Sequence, residues 1–290
     1  MGFGAPSEYR GATALNPKAS ASFVGQACVD VVSPANRGLA YGDGLFETMR
    51  VHGGALPLWP RHLARLRDGA QRLGIGLPGV AYIEARIAEM IGVVDAGVLK
   101  LLLTRGDGGR GYAPPTESLP VWTLALHPLP PPATAGLRLH ACDLRLAIQP
   151  ALAGIKHCNR LEQVLARMEA ERAGCDEGLV RDMDGAPVCA TSANLLVLRG
   201  GGWWTPPVAR CGVAGVLRGW LLEAGHVAEA ALSMDEVASA DALALCNAVR
   251  GILPVSLLGA RDWATHPALT DLQARLAMAY PMFTNPAVPA

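Results

Sequence analysis

The 290-residue chain predicts an α+β fold in two domains, and three observations carry that expectation. Apolar residues make up 51% and charged residues 17%, so enough surface can be buried to offset the chain entropy lost on folding. Strand-like and helix-like stretches alternate in both halves without the regular spacing of βαβ units, which disfavours a doubly wound sheet. His127-Pro-Leu-Pro-Pro-Pro holds an extended chain that neither a helix nor a central strand absorbs. The expected organisation is a leader over 1–21, an N-terminal α/β domain over 22–127, a linker over 128–135 and a C-terminal domain over 136–290.

The leader is rich in Gly, Ala, Ser and Pro and shows no period. Short β-like patterning over 22–32 and 45–51 follows, and His52-Gly-Gly-Ala55 reads as a hairpin turn into a strand over 56–59. Leu63, Leu66, Ala70 and Leu73 recur at helical spacing, with Arg61, Arg65, Arg67 and Arg72 between them, until Gly74 and Gly76 stop the run. A second amphipathic helix is expected over 82–92, and strands over 97–104 and 119–126. Beyond the linker the pattern predicts a strand over 137–146 and a helix over 160–173. Strands over 177–181 and 195–199, a helix over 217–224, a strand over 242–246 and a final helix over 269–279 complete the reading.

Twenty-five acidic and twenty-five basic residues cancel, and no basic tract grips phosphates, so neither nucleic acid nor an anionic membrane is an expected partner. No apolar run reaches the roughly 18 residues of a membrane span. The seven cysteines are dispersed, with no Cys-x-x-Cys or Cys/His spacing for zinc, and read as reduced thiols of a cytoplasmic protein with no metal. Gly106-Asp-Gly-Gly-Arg-Gly111 fits the dinucleotide-binding string, but Tyr112-Ala-Pro-Pro115 forbids the helix that must follow. Nucleophile-elbow, Walker A and zinc-protease motifs are absent. Of the basic residues only Lys18, Lys100 and Lys156 are lysines. Lys156 stands where a segment turns into a helix, a setting in which desolvation can make an amine a Schiff-base nucleophile; a solvated lysine is the ordinary alternative.

Leu152-Ala-Gly-Ile-Lys156-His-Cys-Asn159-Arg-Leu-Glu-Gln-Val-Leu165 closely resembles the lysine segment of the aminodeoxychorismate lyases, fold-type IV pyridoxal-phosphate enzymes of the class IV aminotransferase superfamily, whose architecture is D-amino acid aminotransferase-like. Other blocks match in the same order: Asn36-Arg37 through Tyr41-Gly-Asp43-Gly-Leu-Phe46-Glu-Thr48-Met-Arg50, His62-Leu-Ala-Arg65-Leu66, Arg105 through Arg110-Gly-Tyr112, Gly212-Val-Ala-Gly215-Val216-Leu217-Arg218, and Cys246-Asn247 through Pro254. The resemblance implies pyridoxal 5'-phosphate on Lys156, and a homodimer acting on a small molecule. Its phosphate would be held by Arg65, by the Gly215-Val216-Leu217 turn before a helix, and by Asn247. Thr48 is implied as a proton relay, and Tyr41, Arg110, Tyr112 and His127 as substrate contacts. The implied reaction converts 4-amino-4-deoxychorismate to 4-aminobenzoate and pyruvate in folate synthesis. Branched-chain or D-amino acid transamination and a non-catalytic cofactor-binding descendant are the alternatives.

One position departs from the pattern. The superfamily's glutamate for the pyridine nitrogen lies five residues before the Asn that is here Asn194, and that position is Cys189. No acidic residue lies between Gly185 and Asn194, so the resemblance implies a weaker electron sink.

Overall fold

The computed structural model describes residues 20–133 and 135–284, and the expected leader lies outside these except for Ser20 and Ala21. The first half is a five-stranded antiparallel sheet in the order β2-β1-β5-β4-β3. Its strands are β1 (Ser20–Val24), β2 (Ala27–Val29), β3 (Gly44–His52), β4 (Ala96–Thr104) and β5 (Val121–His127). A one-turn helix, α1 (Arg37–Tyr41), leads into β3, and α2 (Trp59–Leu73) and α3 (Val80–Ile91) cover one face. Leu45, Met49 and Val51 of β3 meet Leu66 and Ala70 of α2, and Ile83, Ile87 and Ile91 of α3, in a common core. Each of those buried isoleucines contributes roughly 1.5–3 kcal/mol relative to exposure.

The second half is built on β6 (Leu137–Leu146), β7 (Glu177–Asp182), β8 (Pro187–Ala190), β9 (Asn194–Arg199), β10 (Gly202–Thr205), β11 (Ala228–Glu229), β12 (Ala242–Asn247), β13 (Gly251–Leu258) and β14 (Arg261–Asp262). β8 pairs with both β7 and β9, the latter through Cys189 and Asn194, and so closes β9-β12-β13-β6-β7-β8 into a barrel. Around it lie α4 (Leu161–Arg172), α5 (Val216–Glu223), α6 (Met234–Ala238) and α7 (Pro267–Ala279). No described helix is long and apolar enough to cross a membrane.

Several local expectations change. The strand expected over 56–59 is replaced by a single bridge, His52 to Ala55, after which α2 begins with Pro60 at its first turn. Pro57 has no N–H for a ladder, and Pro60 is pre-set for a helix start. The stretch 22–32 breaks at Gly25 and Gln26 into the β1–β2 hairpin. β13, missing from the sequence pattern, tolerates Pro254 because its pairing with β6 begins only at Val255. His127 pairs with Val98 and is the last residue of β5.

Candidate active site

The segment before α4 stitches the two sheets together. Gly154 bridges Val213 on the barrel side, while the Phe46 amide donates to the Lys156 carbonyl (3.0 Å) and the Cys158 amide to the Gly44 carbonyl (2.9 Å). Ile155 is buried in the core under β3. Alternation on β3 then sends Phe46, Thr48 and Arg50 away from that core. Phe46 and Thr48 line a cavity of about 770 Å³ with Lys156 at its wall. The Lys156 ammonium lies 4.3 Å from the centre of the Phe46 ring. Its pKa is pushed down to about 7, by burial first and by the neighbouring Arg65 charge second, so a large neutral fraction exists near neutral pH.

Glu47, on the core face of β3, anchors one end of this cavity. It is 1% exposed and accepts from Arg65 Nε (2.8 Å) and Nη2 and from His62 Nδ1 (2.6 Å). Burial alone would raise its pKa, but the Arg65 charge and the two hydrogen-bond donors bring it to about 2. Burial holds His62 neutral, with its ring proton on the Glu47 side, and leaves Nε2 without a partner. Arg65 Nη1 also donates to the Ala214 carbonyl (2.9 Å). A guanidinium has five hydrogens, so Arg65 keeps two for a ligand. Beside it, α5 opens at Gly215 with no side-chain cap, presenting its first amides to the same space. A Cβ on Gly215 would collide with Asn194 Oδ1, so only glycine leaves this cradle open. Leu217, expected beside them, does not line the cavity; its side chain is fully buried in the barrel-side core.

The wall continues through Cys189, Thr191, Ser192, Arg160 and Asn247, with Asn194 packed against Gly215. Arg160 donates through Nε to the His157 carbonyl and through Nη2 to the Ile155 carbonyl, each at 2.8 Å, and burial lowers its pKa to about 10. Burial drives the Cys189 thiol up to about 12, so it is neutral. The nearby carboxylate, Glu177, is buried behind the wall and occupied by the Thr191 and Ser192 hydroxyls and the Gly178 amide. Glu171, the one carboxylate that lines the cavity, is paired with Arg167 (2.9 Å). Asn247 is largely spent: its Oδ1 accepts from the Val249 and Arg250 amides, and Nδ2 donates to the Ser192 carbonyl (3.4 Å).

Thus Thr48, Arg65, Lys156, Cys189, Gly215, Val216 and Asn247 gather at one cavity. Tyr41, Arg110, Tyr112 and His127, expected as substrate contacts, do not line it. The reason is visible at Arg37, which donates to the carbonyls of Gly111, Tyr112 and Ala113 and pins that loop over α1, with Tyr41 edge-on to Tyr112 at 5.4 Å. His127 is exposed at the end of β5. Glu47, His62, Arg160 and Asn194 escaped the sequence reading. For Glu47 a signal existed, because a charge among Leu45, Met49 and Val51 on a buried face demands a partner, and His62 and Arg65 stand one helical turn apart on the next helix.

Residues 44–258 match the class IV amino-transferase family. The chain belongs to that family. Class IV aminotransferases are pyridoxal-phosphate proteins with the fold-type IV architecture. The chain is 33% identical over 237 residues to the aminodeoxychorismate lyase of Vibrio harveyi, covering 78% of this chain and 87% of that one. It is 31% identical over 241 residues to a putative branched-chain-amino-acid aminotransferase of Methanocaldococcus jannaschii, covering 77% and 81%. The crystal structure of 4-amino-4-deoxychorismate lyase from Pseudomonas aeruginosa superposes with a TM-score of 0.82 at 43% identity, over 89% of this chain and 98% of that one.

Proposed function

We propose that this chain is a pyridoxal-phosphate-dependent lyase that converts 4-amino-4-deoxychorismate to 4-aminobenzoate and pyruvate in folate synthesis. The observation that carries the reading is Lys156, an amine with its pKa near 7 on the wall of a cavity whose lining is rich in arginine and poor in free carboxylate. The side chains fit the cofactor: Arg65 and the uncapped start of α5 suit its phosphate, the open Gly215 cradle admits it, and Lys156 suits its aldehyde. The lining would offer a ring nitrogen no free carboxylate, since Glu171 is paired with Arg167, Cys189 is a neutral thiol and Arg160 a cation.

When bound, pyridoxal phosphate supplies an electron sink for the carbon that bears the substrate's amine. The free Lys156 amine would take the proton from that carbon as general base. The carbon–oxygen bond to the enolpyruvyl group breaks, the ring becomes aromatic, and the departing enol takes up a proton to become pyruvate. Thr48, whose hydroxyl has no hydrogen bond to a described residue, is the donor for that proton. Aromatisation supplies driving force, which suits a site with a weak sink.

The same reading takes the two sheets as two domains, 22–127 and 136–290, joined by 128–135, and the protein as a cytoplasmic homodimer. Leu161, Val164, Leu165 and Met168 form an exposed apolar stripe along α4, and Leu39 and Tyr112 are exposed as well. That surface supports self-association, and a loop carrying Arg110 and Tyr112 away from its own cavity is suited to serve the cavity of a second copy.

Purified protein supplied with cofactor should release pyruvate from 4-amino-4-deoxychorismate with no keto-acid acceptor, read by coupled lactate dehydrogenase. Pyruvate appearing no faster than in the uncatalysed control, while leucine or D-alanine yields keto acid with an added acceptor, would replace this reading with transamination.

A further inference from the structure

We propose that Arg250 is the specificity-determining residue that reads a carboxylate of the substrate, from a ridge that the active cavity shares with a second chamber. This chamber, of about 310 Å³, is walled by Arg50, the prolines at 130–132, Gln273 and Phe283. Val249 and Arg250 line both spaces and form the ridge between them.

Charge decides what the ridge is for. Six cationic side chains line the two spaces together: Arg50, Arg65, Lys156, Arg160, Arg167 and Arg250. Five have a counterpart or a chemical use. Arg65 is paired with Glu47 and Arg167 with Glu171; Arg160 is spent on two carbonyls; Arg50 donates to the Val249 carbonyl (3.1 Å) and lies over the Phe283 ring; Lys156 is the reactive amine. The Arg250 guanidinium alone makes no hydrogen bond, ion pair or ring contact with any described residue, although the residue is half-buried.

Its backbone, by contrast, is held firmly. The Arg250 amide donates to Asn247 Oδ1 (2.8 Å), the Val249 amide donates to the same oxygen (3.0 Å), and Arg50 clamps the Val249 carbonyl. Gly251 follows at φ 75°, where a side chain would be strained and would press on the Phe283 ring. A fixed turn that presents an unpartnered guanidinium at a cavity wall is a pre-organised carboxylate receptor, because the planar fork matches a carboxylate bidentately.

The identity of the ligand rests on the proposed lyase function, whose substrate carries two carboxylates and whose products carry one each; the anion preference does not rest on it. Arg250→Met should raise the KM for 4-amino-4-deoxychorismate roughly tenfold or more with kcat changed less than about threefold, as expected for loss of a charge-assisted pair made equally in the ground and transition states. Arg250→Lys, which keeps the charge and loses the fork, should fall between. Covalent cofactor loading and thermal midpoint, unchanged in both variants, show that each is folded.

Calorimetry on cofactor-loaded protein separates this inference from the activity. At least one of 4-aminobenzoate and pyruvate should bind about tenfold more weakly to Arg250→Met than to the parent, and the uncharged analogue 4-aminobenzamide equally to both. Whichever anion is weakened identifies the carboxylate that is read. If the parent shows no lyase turnover, the proposed function fails while this binding difference still supports Arg250. Equal binding of both anions to parent and variant, or a KM within twofold of the parent's, overturns the inference.

Discussion

At the Arg65 end of the cavity the charges are met before any ligand arrives, whereas at the Cys189 end a half-buried guanidinium lies near a neutral thiol and no free carboxylate. The first end is an ion pair closed by a neutral imidazole, with Glu47 held near pKa 2 and Arg65 fixed by both oxygens. The second has Arg160 satisfied by carbonyl dipoles and Cys189 near pKa 12. A paired charge gives fixed geometry for a permanent dianion. An end without an acid gives nothing to hold a proton on a pyridine nitrogen, so proton traffic falls on Lys156.

The largest expected effect removes the group both ends serve. Lys156→Ala should lower pyruvate release by roughly 10³-fold or more, since nucleophile and base are lost together. Borohydride treatment of the loaded parent, followed by peptide mapping, should place the pyridoxyl group on Lys156; finding it on Lys100 would remove the comparison's common reference point.

Breaking the paired end comes next. Glu47→Ala leaves Arg65 and His62 buried without their anion, and removing one partner of a buried pair costs about 3–5 kcal/mol. Urea unfolding of the cofactor-free variant should show that loss, and its cofactor affinity should fall because Arg65 is no longer aimed. A variant as stable as the parent would mean that the network at Glu47 is incidental.

The frame of this site was legible in the sequence, while its charge compensation was not. Hydrophobic alternation at Leu45, Met49 and Val51 marks β3, and the spacing of Leu63, Leu66 and Ala70 marks α2, because one buried face repeats in each. The short Lys156 segment carried a local signal of its own. β8 escaped because a four-residue strand opening with Pro187 shows no period, yet it closes the barrel and brings Cys189 to the wall. Arg37 escaped for a different reason: arginine at a loop reads as solvated, and only the fold shows its fork closing on three carbonyls.

A pH series sharpens the comparison more gently. Because the folded-state pKa of Lys156 is depressed, the cofactor-free protein binds fewer protons than the unfolded chain between about 7 and the ordinary lysine value of 10.5. Its contribution therefore opposes folding fully below pH 7 and fades as pH rises through that window. The rate of covalent cofactor capture should follow the neutral amine, falling roughly tenfold per unit below the midpoint near 7. A midpoint near 10 would show that burial does not act on this amine.

The smallest effect tests the unpaired end. Cys189→Glu puts a carboxylate beside Arg160, whose charge offsets part of the desolvation cost, so the cofactor-free variant should lose about 1–3 kcal/mol rather than the full cost of an isolated buried ion. If Cys189 stands at the ring nitrogen, added cofactor gives that carboxylate a protonated partner, and the thermal midpoint of the loaded variant should recover toward that of the loaded parent. If the carboxylate instead spends itself on Arg160, loading will raise the midpoint of variant and parent by the same amount. That outcome would place Cys189 away from the ring and show that the missing acid at this position does not govern the cofactor's protonation.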